Sequence, residues 1–245
     1  MTITMATSEV EPRSDEQRLI DLGDMAREMF APVGLPSTLE TVLSLARTTF
    51  KADAVGVLLD AAGGELAPAA ATSSTAHKAE LLQVEEGQGP GLQAVARRQP
   101  VISDELRSDS RWRFWAPQAA DLGFRSVLSL RLADDDTSGA LTLYSRRPLF
   151  FHGDVLALGK AFATHASIAL AIARERDRLL QVVDSRGVVG QAQGLLMQQY
   201  DISAEQAFAV LKRSATQVDQ KLRLVAARFV EDRILPGPSG YVLRT

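Results

Sequence analysis

Ser185-Arg186-Gly187-Val188-Val189-Gly190-Gln191-Ala192-Gln193-Gly194-Leu195-Leu196-Met197 opens the stretch, running on to Ile234, that decides how the whole chain is read. On a helix, Val189, Ala192, Leu196 and Gln199 share one flank, and Ala192 and Gly194 are small where a neighbouring backbone must come close. After Tyr200-Asp201-Ile202, Ser203 suits an N-cap and Gln206 stands three residues on, so a second helix opens there with a capping box. Ala207, Phe208, Leu211 and Ala215 give that helix an apolar stripe, expected to be buried. Val218-Asp219 ends it. Asp219 is placed to cap a third helix in which Leu222, Val225, Ala226 and Phe229 face inward, and Pro236-Gly237-Pro238 stops the pattern. Three short helices bury little surface alone, so this unit must lean on a longer helix or a partner chain.

The charge of this stretch differs from that of the rest. Lys212, Arg213, Lys221, Arg223 and Arg228 stand against the single Asp219, in a chain whose formal charge is -3. Residues 1–170 hold 16 basic and 22 acidic side chains, whereas residues 171–245 hold 11 and 8. A basic cluster at the end of an acidic chain attracts phosphates and confines any nucleic-acid contact to that end, although a solvated helix face carries the same pattern. Arg186, Gln193, Met197 and Tyr200, spaced seven, four and three apart, lie within one helical face. Arginine and glutamine there suit phosphates or base edges, and Tyr200 suits stacking on an unpaired base. Met197 reads as core.

These residues carry a resemblance. Arg186, Val189 through Met197, Ser203-Ala204-Glu205-Gln206-Ala207-Phe208, Leu211-Lys212-Arg213 and Lys221-Leu222-Arg223-Leu224-Val225-Ala226 resemble the ANTAR domain of bacterial transcription antitermination regulators, over Ser185 to Val230. The resemblance implies RNA binding, with a dimer holding paired stem-loops in a nascent transcript so that a terminator hairpin does not form. Arg186, Gln193, Tyr200, Lys212, Arg213, Lys221, Arg223 and Arg228 are the candidate RNA contacts. Where the family favours lysine before the glycine this chain has Gln193, and where it favours Asn-Arg near the third helix this chain has Asp219-Gln220. Those departures remove phosphate contacts. They open a second reading, a protein-interaction regulator whose helical unit has weakened or lost RNA binding. A third, a DNA-binding unit with Val218 to Arg233 as recognition helix, lacks an evident groove-reading pattern.

Composition narrows the class. At 245 residues the chain has room for a medium domain and a smaller one. Without cysteine it forms no disulfide, thiolate metal site or cysteine-linked chromophore, in keeping with a reducing cytoplasm. Met1 to Pro12 has no signal-peptide character, and no apolar run approaches membrane-spanning length, so a cytoplasmic protein without membrane contact is expected.

Ahead of the basic unit the pattern alternates. Residues 1–13 are polar and read as disordered. Leu19, Leu22, Met25, Ala26 and Met29 mark a helix from Ser14 to about Pro32, and Leu39, Val42, Leu43, Leu45 and Ala46 a second from about Ser37. Strands are expected at Ala54 to Leu59, Leu66 to Thr72, Val101-Ile102, Ser126 to Leu132 and Gly139 to Ser145. Helices fall between them at Thr75 to Gln83, Leu92 to Arg98 and from Trp115 through Leu122. This is an α+β arrangement on a mainly antiparallel sheet. Glu86-Gly87 with Gly89-Pro90, Val101-Ile102-Ser103-Asp104, Arg111-Trp112, Gly123 through Leu128 and Gly139 through Ser145 resemble a GAF domain, over roughly Ser37 to Ala173. That resemblance implies an α/β/α sandwich acting as a sensor for a small molecule or a partner protein.

From Gly153 a single helix begins. Val155, Leu158, Phe162, His165, Ala169, Ile172, Arg176, Leu179 and Val183 alternate spacings of three and four, the seam of a two-stranded coiled coil and hence of a parallel homodimer. Gly187 and Gly190 are placed as a hinge. The expected organisation is a disordered start (1–13), a GAF-like sensor with its N-terminal helix (14–173), a coiled-coil linker (174–184), a three-helix ANTAR unit (185–235) and a tail (236–245).

Catalytic chemistry has no visible seat. No nucleophile motif appears, and His77, His152 and His165 are scattered without carboxylates at ligand spacing, so neither a catalytic residue, a metal nor a cofactor is assigned. Gly87 to Gly91 lacks the strand and lysine of a nucleotide loop and reads as a turn. Asp134-Asp135-Asp136 reads as a hairpin loop. Trp112, Phe114 and Trp115 are the candidate wall of a ligand pocket, or else core.

Overall fold

The apolar run Ala54 to Leu59 is short, β-branched and bounded by turn residues, which favours a strand over a helix. In the computed structural model, which describes residues 15–61, 64–133 and 138–236, it forms β1 (Ala54–Asp60) of a five-stranded sheet. Its companions are β2 (Leu66–Ala71), β3 (Val101–Ser103), β4 (Ser126–Ala133) and β5 (Ser138–Ser145). The order is β2-β1-β5-β4-β3, and every neighbouring pair is antiparallel. At the β2 edge stands Pro68, and the register shifts opposite it, between Val57 and Leu58.

Both faces of the sheet are covered, and the period of two assigns each residue to its side. Val55, Val57 and Leu59 of β1, Leu128, Leu130 and Leu132 of β4, and Leu141 and Leu143 of β5 point into one core. There they meet α1 (Asp15–Phe30), α2 (Leu35–Phe50) and the first part of α6 (Val155–Tyr200), with Phe50 and Phe162 edge to face at 5.3 Å. On the other face Ala54, Val127 and Tyr144 pack under α3 (Ser74–Glu85), α4 (Pro90–Arg97) and α5 (Trp115–Asp121). The expected α/β/α sandwich is therefore present. α2 and α4 begin two residues or so earlier than the apolar pattern suggests, because Pro36 and Pro90 occupy first-turn positions where a fixed φ is already helical.

The long helix needs two corrections. Phe162 and Ala169, assigned to an intermolecular seam, are buried in the sandwich core, and Val155 and Leu158 pack against it; the chain's own sheet lies within reach and covers that face. By length and apolarity Val155–Leu180 also meets the requirement for a membrane span, which the expectation had excluded. Within that span Phe162, Ala166, Ala169 and Leu170 lie in the sandwich core, while Ile168, Ile172 and Leu179 are exposed. α6 runs unbroken through Gly187 and Gly190 for 46 residues.

The chain divides into two compact units at Arg174/Glu175. At the end of the first, Arg174 grips the end of β1, its Nη1 donating to Asp60 Oδ1 at 2.7 Å and its Nη2 to the Asp60 carbonyl at 3.0 Å. The second holds the end of α6 with α7 (Ala204–Gln217) and α8 (Leu222–Asp232). The start at residues 1–13, the Asp134-Asp135-Asp136 loop and the tail beyond Pro236 lie outside the described residues.

Candidate nucleic-acid interface

Ser203 and Gln206 fix the corner of the C-terminal unit. Gln206 N donates to Ser203 Oγ at 3.2 Å and Ser203 N to Gln206 Oε1 at 2.9 Å, which completes the expected capping box and starts α7. Gln193 Nε2 donates to the Ala204 carbonyl at 3.1 Å and ties the end of α6 to that same corner. Inside, Ala192 and Leu196 of α6, Ala207, Leu211 and Ala215 of α7, and Val225, Ala226 and Phe229 of α8 form one buried cluster, with Leu235 behind them. Ser214 Oγ donates to the Pro236 carbonyl at 2.5 Å and holds the chain after α8 against α7.

Three expectations change here. Phe208 is 41% exposed rather than part of the stripe, because Ala207, Leu211 and Ala215 already cover the inner face. Met197, read as core, is 38% exposed. Asp219 does not cap the third helix: it takes a left-handed φ of 50° in the turn after α7, and Lys221 stands at the N-cap with no side-chain bond.

The cations stand in water. Arg186, Lys212, Arg213, Lys221, Arg223 and Arg228 are all exposed. Among the described residues only Arg228 has a carboxylate partner, Asp232 at 3.7 Å, a separation and exposure at which an ion pair holds little. Helical geometry, at about 100° per residue, sorts their directions against the buried stripes. On α7, Arg213 projects away from Leu211 and Ala215 while Lys212 lies on a flank. On α8, Arg223 and Arg228 fall on opposite flanks of the buried stripe, and Lys221 stands ahead of it at the N-cap. Tyr200 is half-buried against the cluster, with Gln199 Nε2 donating to its hydroxyl at 3.4 Å.

In the sandwich, Trp112 and Trp115 are 3% and 0% exposed and meet edge to face at 5.6 Å, and Trp115 Nε1 donates to the Ala79 carbonyl at 2.9 Å. Phe114 is 63% exposed on the surface. An open groove of about 580 Å³ lies beside α2 and β2, lined by Glu40, Arg47, Lys51 and Thr72 among others. No group of three or more His, Asp or Glu among the described residues is arranged to hold a metal ion.

Family comparison matches the GAF domain to residues 33–171 and the ANTAR domain to residues 177–230. The chain belongs to the GAF family and carries an ANTAR domain. It is a GAF–ANTAR regulator, a signalling architecture in which a sensor precedes an ANTAR effector. No curated protein matches it. Among solved structures, the GAF domain of a phosphoenolpyruvate-protein phosphotransferase from Coxiella burnetii is similar at 18% identity and a TM-score of 0.54, covering 67% of this chain and 99% of that one. The corresponding Acinetobacter GAF domain aligns at 16% identity and 0.53, covering 66% and 97%. A free methionine-R-sulfoxide reductase from Neisseria meningitidis aligns at 19% and 0.51, covering 67% and 95%. Likeness at this identity establishes the fold.

The GAF–ANTAR regulator also contains a polar cluster that the sequence reading missed. Glu80, Gln83 and Tyr144 are fully buried and bonded to one another beneath α3. A signal was present: Ala76, Ala79, Glu80 and Gln83 follow the spacing of a buried helical stripe, and two of the four are polar.

Proposed function

We propose that this chain is an RNA-binding transcription antitermination regulator, its GAF domain controlling an ANTAR domain that binds paired stem-loops in nascent transcripts. The observation that carries the reading is the set of exposed cations without carboxylate partners among the described residues, Lys212, Arg213 and Lys221, on a domain of the ANTAR family. Unpaired cations bring no competing acid with them, so each phosphate they meet releases counterions to solution. Arg186, Arg223 and Arg228 add charge at the margins, and Tyr200 offers an aromatic edge. Gln193, whose amide holds Ala204, serves the fold first and the transcript through its remaining oxygen.

The working form is a homodimer in the cytoplasm, which suits a protein without cysteine and with a transcript as partner. With Phe162 and Ala169 committed to the sandwich, the dimer seam moves to the residues left outside. Ile168, Ile172 and Leu179, spaced four and seven apart, are 45%, 55% and 53% exposed. The chain acts by binding rather than by catalysis, and its input is a small molecule or a partner protein at the GAF domain.

Titration of the full chain with paired RNA stem-loops across a salt series tests this. Affinity is expected to fall steeply with salt, and Lys221→Ala to weaken binding on all stem-loops alike and flatten the log–log salt slope by about 1. Absence of RNA binding at low salt would make the chain a protein-interaction regulator instead. Preference for duplex DNA would make it a DNA-binding one.

A further inference from the structure

Phe208 follows the buried Ala207 and precedes the buried Leu211, yet it is itself exposed. At about 100° per residue it lies on the flank of α7 that also carries Ala204 and Lys212, four residues to either side. A helical side chain leans back over the turn before it, so the Phe208 ring covers the surface above Ala204, and the stem of Lys212 leans in turn toward Phe208. The methyl group of Ala204, itself exposed, is too small to hide the ring. At that same turn Gln193 Nε2 of α6 donates to the Ala204 carbonyl at 3.1 Å. A carbonyl oxygen only accepts, so the amide is fixed with its nitrogen on Ala204 and its Oε1 free to accept from elsewhere.

Three kinds of group therefore share one patch: an open aromatic face, an acceptor held in one orientation, and the Lys212 ammonium, exposed and without a carboxylate partner among the described residues. An apolar partner helix would use the ring alone and would leave the amide oxygen and the ammonium unanswered. A nucleotide answers all three, with the face of its base, a donor on the base edge and its phosphate. A base inside a duplex has both faces covered, so the base concerned is an unpaired one, as in the loop of a stem-loop. Glu205, the acid of the first turn, stands toward the outer side of α7, where the start of the helix favours it. Tyr200 is the weaker platform, because its ring is half-buried against the helical cluster.

We propose that Phe208 is the stacking platform for one unpaired base of the RNA loop, beside the free oxygen of Gln193, with Lys212 on the adjoining phosphate. This rests on the reading of the C-terminal unit as an RNA-binding domain. The ring and the ammonium act through different physics. Stacking displaces no counterions, so Phe208 sets affinity without setting its salt dependence, whereas Lys212 sets both. The ring also lies outside the buried cluster, so its loss is read in binding and not in folding.

The test is a titration of the full-length chain with RNA stem-loops whose loop nucleotides are replaced one at a time by an abasic ribose. Phe208→Ala is expected to weaken binding of the intact loop by about 5- to 150-fold with the log–log salt slope unchanged, and Phe208→Tyr to restore it. Lys212→Ala is expected to flatten that slope by about 1. One abasic position should cost the wild type a similar factor and cost Phe208→Ala little, since the platform and its base are then lost together. Should Phe208→Ala lose the helical circular dichroism of the wild type, Phe208→Leu, which keeps an apolar side chain but no π face, takes its place. Wild-type affinity in the variant, or a loss that couples to no loop position, overturns the platform, marks the ring as a protein contact, and leaves RNA binding itself standing. Absence of RNA binding by the wild type at low salt removes both.

Discussion

Gly56 has no room for a methyl group. It sits on β1 opposite the Glu80 carboxyl, and the 2.5 Å approach of an added Cβ would force either the strand or the buried acid to move. Gly56→Ala is therefore expected to destabilise the GAF domain by about 1–3 kcal/mol, the usual cost of overfilling a packed core, despite the better strand propensity of alanine. Thermal unfolding of the variant against wild type measures it; an unchanged midpoint would mean that the sheet yields without cost. Single residues were also the level at which sequence reasoning was weakest. Ser203 and Gln206 announced their capping box because that pattern is local. Asp219 and Phe208 misled, because the choice between cap and turn, or stripe and surface, is made by where neighbouring helices lie. Trp112 and Trp115 suited the core better than a pocket wall, and both indoles are buried.

Elements were far more legible. All five strands and the helices of the sandwich followed from alternation and turn residues, and the capping box set the start of α7. The exception is α6, whose run of spacings of three and four serves a helix on a sheet as well as it serves a two-chain seam. Which residues do which work depends on the sheet's reach, and that is a tertiary fact. If Ile172 and Leu179 meet a second copy, two aspartates there would place four buried charges at the seam. Ile172→Asp combined with Leu179→Asp is expected to convert a dimer to a monomer in size-exclusion light scattering, with the circular-dichroism spectrum of the fold retained. A dimer that survives both substitutions would place the seam elsewhere.

At the scale of the molecule, two compact units with separate cores should respond separately to damage. Leu211 is fully buried in the C-terminal cluster, and Leu211→Ala is expected to cost about 2–5 kcal/mol there. Calorimetry should show the transition of the ANTAR unit moving down while that of the GAF unit stays in place. A common shift would reveal a single cooperative system. The candidate interface was visible in the sequence as a count of positive charge but not as a surface, since the count carries no direction: Arg223 and Arg228 look alike in the chain and emerge on opposite flanks of α8.

Pro68 has a consequence of a different kind. An outer strand offers its spare amides to any other strand that drifts alongside, and this is how folded proteins begin to stick together. At Pro68 that invitation lacks one amide, and the slipped pairing beside it bends the border out of the straight line a newcomer would need. Crowded molecules of this chain are thereby steered away from zippering up through their sheets.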